Sequence, residues 1–238
     1  MGQVFFVSAV MLFAAALAQT QPGELPTGSR LAKRPLLGPQ LSAKDQALGA
    51  KAMADCLYDQ NDKVARAALL APNKESAEKA IRRLSVNLSC SRIIPGNDMV
   101  EARAAIFPSE VLRGMLAERA LKKAWPQLAA LSALPMQKVY QRPWFAITGR
   151  HLSVDEMGAC IADTNPAGIA ALIQTVPTAA EEGRAFAALT ADMGKCLRVG
   201  TKLQANRQSL RAALADALFQ RLYGPAPSAA PNAEAVKR

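Results

Sequence analysis

Residues 56–92 read CLYDQNDKVARAALLAPNKESAEKAIRRLSVNLSCSR, and residues 160–198 read CIADTNPAGIAALIQTVPTAAEEGRAFAALTADMGKCLR. Each stretch opens on a cysteine, passes through an alanine- and leucine-rich run followed by proline, and closes on Cys-x-Arg. Each is followed by a related segment, LRGMLAE at 112–118 and LRAALAD at 210–216. The first cysteines lie 104 residues apart, the second cysteines 106 and the closing segments 98. The pattern predicts a unit of about 90 residues that occurs twice in tandem, each copy long enough for a modest core.

The N-terminal end has the pattern of a secretory signal peptide. Residues 4–18 form an apolar run without charge that ends in Ala16-Leu17-Ala18, a small-residue cleavage site. The run is shorter than the ~20 residues that a membrane-spanning helix needs. We therefore expect cleavage after Ala18 and a periplasmic or secreted protein with no transmembrane span, the alternatives being an uncleaved anchor or a buried N-terminal helix.

All four cysteines lie after the predicted cleavage site, and an even number in an exported chain indicates disulfides. A unit that folded before it was copied must pair its own cysteines, which predicts Cys56 with Cys90 and Cys160 with Cys196. Loops of this length stabilise a fold by roughly 3 to 4 kcal/mol each. A metal site is not expected because the chain has one histidine and no C-x-x-C. No cofactor is expected either.

Composition and capping patterns predict an all-α fold. Alanine and leucine favour helix, while β-branched and aromatic residues are sparse. Helices are predicted at 43–58, 63–71, 74–89 and 108–123 in the first copy, and at 154–162, 166–175, 179–195 and 207–222 in the second. Predicted N-caps are Ser42, Asn61 or Asp62, Asn73, Asn165 and Asn206, and capping boxes are expected at Ser153/Glu156 and Thr178/Glu181.

The chain is thereby divided into two tandem copies of a roughly four-helix, one-disulfide unit with disordered tails. The predicted parts are a signal peptide at 1–18, a disordered linker at 19–40, repeat 1 at 41–124, an aromatic and proline-rich connector at 125–150, repeat 2 at 151–223 and a disordered tail at 224–238. Within the connector, Gln127 to Val139 could form a further helix. The aromatic side chains of the connector are expected to pack one copy against the other.

No arrangement of residues typical of catalysis is present. His151 is the only histidine, and no nucleophile with an orienting third group lies in a recognisable pattern near it. Ser76-x-x-Lys79 lacks the further motifs of serine-lysine enzymes. Paired acids such as Asp155-Glu156 and Glu181-Glu182 lie at predicted helix starts, where a carboxylate is favoured by the helix dipole. The expectation is a protein that is not an enzyme, with an unrecognised hydrolase as the last alternative.

Four arginines occur as two matched pairs in the two copies. Arg92 and Arg198 each lie two residues after the second cysteine, and Arg113 and Arg211 lie in the closing segments. One interpretation is structural: each arginine binds carbonyls at the end of a helix or pairs with an acid such as Glu118 or Asp216. The other is a pair of anion-binding sites. We favour the structural interpretation.

The net charge of +10 and the isoelectric point of about 9.8 bear on partners. No run of five or six like charges is present, so a nucleic-acid-binding tail is not expected. A diffuse basic surface favours anionic partners, which outside the cytosol means lipid headgroups, envelope polysaccharide or acidic proteins. The alternative is that the charge serves solubility alone.

The combination of signal, Cys, Ala-Ala-Leu-Leu, Pro, Cys-x-Arg and Leu-Arg-x-x-Leu-Ala-Asp/Glu resembles exported, internally duplicated helical proteins of Gram-negative bacteria. The resemblance covers most of the mature chain in both copies. It implies an exported helical protein, and it implies no activity or site. The favoured function is a non-enzymatic binding or structural element of the cell envelope, followed by a basic module that binds anionic envelope polymers or the membrane surface.

Overall fold

The computed structural model describes residues 42–85, 88–91, 108–198, 200, 201, 203 and 206–225. These residues form helices and connecting loops, without a strand among them. The predicted signal peptide, the predicted linker and all but two residues of the predicted C-terminal tail lie outside the described residues, as does Arg92. The predicted all-α class is confirmed for the described part of the chain.

The N-terminal half of the described chain, residues 42–123, contains five helices. They are α1 (Ala43–Gln60), α2 (Asp62–Leu69), α3 (Lys74–Ser85), α4 (Leu88–Ser91) and α5 (Ser109–Lys123). The connector adds two short helices, α6 (Trp125–Ala129) and α7 (Phe145–Thr148). The C-terminal half, residues 152–223, contains α8 (Leu152–Thr164), α9 (Pro166–Gln174), α10 (Ala180–Cys196) and α11 (Arg207–Tyr223). The predicted helices agree with these bounds within a few residues.

Four of the predicted N-caps are present. The side chains of Ser42, Asn73, Asn165 and Asn206 accept hydrogen bonds from backbone N–H groups at the starts of α1, α3, α9 and α11. Asn61 precedes α2, but its side chain makes no capping hydrogen bond. Such bonds satisfy donors that have no partner within the helix.

The two predicted capping boxes are wrong, because the capping hydrogen bonds involve other residues than those predicted. Helix α8 begins at Leu152, one residue before Ser153. Its N-cap is His151, whose Nδ1 atom accepts the Ser153 N–H at 3.2 Å. The N–H of Thr178 donates to Glu182 rather than to Glu181, at 2.8 Å. Thr178 has a φ of 66°, which is uncommon for a residue other than glycine.

Both predicted disulfides are present. Cys56 is bonded to Cys90 and Cys160 to Cys196, with Cα atoms 5.7 Å apart in each pair. The second disulfide joins the end of α10 to α8, and the first joins α4 to α1; Cys56 and Cys160 each lie four residues before the end of their helix. Each bridge therefore closes within its own half of the chain. Two intrachain disulfides indicate an oxidising compartment.

The two halves share one hydrophobic core, with α5 and α11 at its centre. These two helices make the most extensive contact in the molecule, and α11 also packs on α8 while α5 packs on α1. The backbones come very close where they cross: a Cβ atom added to Gly114 would lie 2.2 Å from the carbonyl oxygen of Ala212. Only glycine allows this approach.

The connector differs from its prediction. Helix α6 ends at Ala129, and residues 131–143 are irregular, so the helix expected over 127–139 is wrong. Pro135 explains this, since proline disfavours helical backbone in the residue before it and has no N–H for a helical bond. The N–H of Leu134 instead donates to the carbonyl of Asp163 at 2.7 Å. Of the connector aromatics, Tyr140 and Trp144 are buried in the shared core.

Candidate functional site

The most highly charged part of the interior lies between α5 and α11. Each helix carries an arginine and, five residues later, an acid: Arg113 and Glu118 on α5, Arg211 and Asp216 on α11. All four side chains are at most 3 % exposed. The N-terminal part of each helix lies beside the C-terminal part of the other, so each arginine meets the acid of the opposite half.

Arg113 binds one acid and the end of one helix. Its Nε–H donates to Oδ2 of Asp216 at 2.8 Å. Its two terminal nitrogens donate to the carbonyls of Ala68 and Leu69, at 2.8 and 2.6 Å, where α2 ends. A guanidinium suits this position because it can bind a carboxylate and helix-end carbonyls from one rigid plane.

Arg211 makes the corresponding contacts in the other half and has one more acid. Its Nε and Nη2 atoms donate to the two carboxylate oxygens of Glu118 at 2.8 and 2.9 Å. Nη2 also reaches the carbonyls of Ile173 and Thr175, beside the end of α9. Nη1 donates to Glu182 at 3.0 Å and to the Thr175 hydroxyl at 2.9 Å. Every N–H of this guanidinium has an acceptor within the protein.

Asp216 is shared between two arginines. Besides Arg113, its Oδ2 atom accepts from Nη2 of Arg150 at 2.6 Å. Arg150 donates through Nε to Asp155 at 2.7 Å, and Asp155 accepts from the hydroxyl of Thr148 at 2.5 Å. This chain of contacts, Arg113–Asp216–Arg150–Asp155–Thr148, is named the Asp216 cluster. Its two arginines and two aspartates balance in charge.

Glu118 has its own set of bases. Nζ of Lys122, one turn later on α5, lies 3.1 Å from Oε1 of Glu118, and Nζ of Lys51 lies 3.5 Å from the same atom. Lys51 is bound in turn by Asp55 at 2.6 Å. With Arg211 and Glu182 these residues form the Glu118 cluster, in which three bases face three acids.

The acids at the centre of each cluster are held ionised. Burial opposes the charge of Glu118, yet hydrogen bonding to Arg211 and the nearby Lys51 and Lys122 hold its pKa below its usual value. Burial likewise opposes the charge of Asp216, and Arg113 and Arg150 lower its pKa nonetheless. Buried charges that are paired and hydrogen-bonded in this way fix the positions of their partners.

Asp155 and Asp163 differ from the central acids. Burial raises the pKa of Asp155 in spite of its ion pair with Arg150. Burial also raises the pKa of Asp163, whose carboxylate lies 3.0 Å from Nη2 of Arg142 and 3.7 Å from Nε of Arg221. The other partner of Asp155 is the hydroxyl of Thr148. Asp163 helps to hold the connector on the end of α8, together with Arg221, which donates to the carbonyl of Ser132.

Of the four arginines selected from the sequence, the three that the structure describes do not form one surface. Arg113 and Arg211 are buried on opposite sides of the α5–α11 crossing, with both the acids and the helix ends that the structural interpretation named. Arg198 is exposed and pairs with Glu156. Arg92 lies outside the described residues, so its contacts are not described.

Several participants were missed from the sequence, among them Lys51, Arg150, Thr175 and Glu182. The burial of Lys51 could have been predicted from the sequence, because Lys51 lies on the same helical face as Ala47, Ala54 and Tyr58, which are buried. Arg150 lies in the connector and Thr175 in a loop, where no periodicity indicates burial. His151, considered as a catalytic base, instead caps α8 through its ring nitrogen.

The described residues offer little space for a small molecule. One depression among the described residues has a cavity volume of about 20 Å³ and is lined partly by Arg113, Ala77 and Thr148. Small-molecule sites in proteins are typically several hundred Å³. Within the described ranges, no group of three or more His, Cys, Asp or Glu side chains is placed to hold a metal ion. None of the described helices is long and apolar enough to cross a membrane.

Together, these features define the class of the protein as an all-α, disulfide-linked fold with buried ion pairs at its centre. Comparison with known proteins adds no relative: no protein-family model, curated protein or solved structure matches the chain.

Proposed function

We propose that the chain is a tandem duplication of a disulfide-closed helical unit, exported to the periplasm or beyond, that acts without catalysis as a binding or structural element of the cell envelope. The absence of catalysis is inferred from the partners of the buried charged groups. Within the described residues, the guanidinium and carboxylate groups of both clusters bind one another and helix ends. The cavity beside Arg113, of about 20 Å³, is far smaller than an ordinary substrate site.

Three observations support the duplication. The disulfides close loops of 34 and 36 residues, each within its own half. Arg113 and Arg211 occupy matched sequence positions and have matched partners, namely the opposite acid and the end of the second helix of their own half. Gly114 and Ala212 also occupy matched positions and contact each other. A contact between equivalent residues is what two related units around a twofold axis would give.

Export is supported by the disulfides, which persist in oxidising compartments. Its direct test is the N-terminus of the mature protein after expression in a Gram-negative host. We expect Edman sequencing of periplasmic material to begin at Gln19. Recovery of the intact N-terminus, or of reduced protein in the cytosol, would overturn the export proposal.

The absence of catalysis is tested with the oxidised, full-length mature protein. A broad panel of ester, amide, glycoside and phosphoester substrates should give no turnover above that of a buffer blank. Turnover that copurifies with the protein and is lost in an Arg150→Met variant, while the disulfides and helix content are retained, would favour the hydrolase alternative.

A second candidate, binding to anionic envelope polymers or lipid, is favoured by the distribution of charge. Because both buried clusters are balanced, the net charge of +10 is carried by the rest of the chain. Helix α3 has four basic and two acidic residues, whereas the corresponding helix α10 has two basic and three acidic residues. Arg82 and Lys74 of α3 are well exposed.

Binding to vesicles that contain phosphatidylglycerol tests this candidate. We expect retention that weakens as salt is raised, because screening acts on exposed charges. The variant Arg82→Glu/Arg83→Glu should bind less than the wild type, whereas Arg184→Glu/Lys195→Glu, which makes the same charge change on α10, should have the smaller effect. Equal effects of the two variants, or binding that does not depend on salt, would contradict a site on α3.

A further inference from the structure

The two buried arginines differ in how many of their donors are used. A guanidinium has five N–H groups. Arg211 has an acceptor for each of them, including both oxygens of Glu118 and one oxygen of Glu182. Arg113 donates three hydrogen bonds within the described part of the chain, and the single acid that it binds is shared with Arg150. Two N–H groups of Arg113 are therefore without an acceptor there, although the side chain is 3 % exposed.

The sequence alignment of the halves identifies what Arg113 lacks. Lys79-Ala80-Ile81 on α3 corresponds to Arg184-Ala185-Phe186 on α10, an offset of 105 residues. The same offset places Ala77 at the position of Glu182. In the second half, Glu182 thus provides a buried carboxylate for Arg211. In the first half, Ala77 at the matched position provides a methyl group.

The space that a longer side chain would fill is present beside Arg113. Ala77 and Arg113 both line the cavity of about 20 Å³, which is partly open to solvent. A volume of this size holds one group about as large as a water molecule, and a carboxylate oxygen is such a group. Lys74 and Glu78 also line the cavity and form an exposed ion pair, with Nζ and Oε1 3.9 Å apart.

From this geometry we propose that the Arg113 cavity binds a carboxylate group that comes from outside the described chain and takes the place that Glu182 occupies beside Arg211. The inference rests on the proposed duplication for the comparison of Ala77 with Glu182. The recognised chemistry is one carboxylate, either of a small free acid or of an acidic side chain on a polypeptide. Charge-assisted hydrogen bonds from Arg113 provide the recognition, since the charge of Lys74 at the opening is balanced by that of Glu78.

The expected affinity for a minimal ligand is low. Formate has three heavy atoms, so its dissociation constant cannot be much below about 1 mM. At 100 mM formate this corresponds to an increase in the folding equilibrium constant of up to about 100-fold.

The experiment is a titration of the ¹⁵N-labelled, full-length oxidised protein with sodium formate, followed by the Nε–H resonances of the arginine side chains. We expect a saturating shift of the Arg113 resonance with a midpoint on the order of 1 mM or above, and no saturating shift for Arg211, whose donors are occupied. A titration with sodium chloride serves as the comparison. Absence of saturation at Arg113 up to about 100 mM formate, or an equal midpoint for chloride, would overturn the proposal.

Two matched variants test the assignment to this cavity. Ala77→Glu places the missing carboxylate on the chain itself and should reduce the formate response of Arg113 at least tenfold. Glu182→Ala makes the equivalent space in the other half and should give Arg211 a formate response that the wild type lacks. An unchanged response of Arg113 in Ala77→Glu would contradict the proposal. If that variant does not fold, the wild-type titration and Glu182→Ala still decide the question.

The source of the carboxylate is distinguished by repeating the titration with a blocked glutamate, N-acetylglutamate amide. Tighter binding than formate assigns the site to an acidic side chain of a polypeptide, and weaker binding assigns it to a small free acid. The equivalence of the two halves, on which the comparison of Ala77 with Glu182 rests, is tested separately by the coupling energies of both crossed pairs, Arg113–Asp216 and Arg211–Glu118. Loss of the formate response would leave those coupling energies intact, so the two failures can be told apart.

Discussion

At the scale of single residues, three arginines that the sequence singles out have very different surroundings. Arg113 and Arg211 are buried with their acids, whereas Arg198 is exposed and pairs with Glu156. Removing one partner of a buried ion pair leaves an uncompensated charge in the interior, while exposed pairs contribute little.

We therefore expect Arg113→Met and Arg211→Met each to lower the free energy of unfolding by about 3 to 5 kcal/mol. Arg198→Met, the matched control, should change it by about 0 to 1 kcal/mol. Urea denaturation of the three oxidised variants measures these differences. Similar losses for all three would show that the buried ion pairs between α5 and α11 contribute no more to the free energy of unfolding than the exposed pair of Arg198.

The central acids also predict how stability depends on pH. Because the pKa values of Glu118 and Asp216 are lowered by folding, the stability they provide is complete above their unfolded values of about 4.3 and 3.9 and is lost as the pH falls through the folded values. Asp155 and Asp163 have raised pKa values, so their contribution has the opposite sign: it is greatest at low pH and is lost as the pH rises through the folded values.

We expect the urea midpoint to stay level or rise slightly between pH 7 and about 5, and to fall steeply below about pH 4. Glu118→Gln should be less stable than the wild type at pH 7, and its loss of stability below pH 4 should be smaller. A wild-type midpoint that continues to rise as the pH drops below 4 would contradict the assignment of ionised Glu118 and Asp216.

Residue patterns could predict only part of this site. The sequence offered Glu118 and Asp216 as partners of the arginines because each pair recurs with the same spacing. The sequence could not indicate that each arginine pairs with the acid of the other half. Spacing alone does not distinguish an acid five residues later on the same helix from an acid on another helix. Arg150 and Thr175 lie outside periodic segments, so their burial depends on tertiary contacts alone.

At the scale of helices, the crossing of α5 and α11 depends on a single glycine. The missing Cβ of Gly114 lets the carbonyl of Ala212 approach, as the distance of 2.2 Å from an added Cβ indicates. Gly194, within α10, has no atom within 4 Å of an added Cβ and therefore provides a control.

Gly114→Ala should force the two helices apart and lower the free energy of unfolding by about 1 to 3 kcal/mol or more. Gly194→Ala should raise it by about 0.5 to 1 kcal/mol, because alanine is the better helix former. Thermal and urea unfolding of both variants provide the measurement. A neutral Gly114→Ala substitution would be inconsistent with close contact between α5 and α11.

Helix positions were the most predictable level of structure. Side-chain caps at Ser42, Asn165 and Asn206, together with 3.6-residue periodicity, locate the helix starts because these signals are local. The connector was less predictable: the apolar residues around Leu128 resemble a helix, but Pro135 and the hydrogen bond from Leu134 to Asp163 favour an irregular path. The start of α10 shifted because Glu182 is held inward by Arg211, a contact between distant residues.

At the scale of the whole molecule, each disulfide closes one half and the crossed ion pairs join the halves. The disulfides followed from the number and spacing of the cysteines, since a copied unit has to satisfy its own pair. The shared core did not follow, because periodicity identifies which face of a helix is apolar and not which helix covers it. Two halves with separate cores would have given the same sequence pattern.

Double-mutant cycles on the crossed pairs test the central claim most directly. Cycles for Arg113→Met with Asp216→Asn, and for Arg211→Met with Glu118→Gln, should each give a coupling energy of about 1 to 3 kcal/mol in urea denaturation. The cycle for Arg113→Met with Glu118→Gln, two residues of the same helix that are not paired, should be additive within about 0.5 kcal/mol. Additivity across both crossed pairs, or strong coupling only within α5, would contradict two halves joined by reciprocal ion pairs.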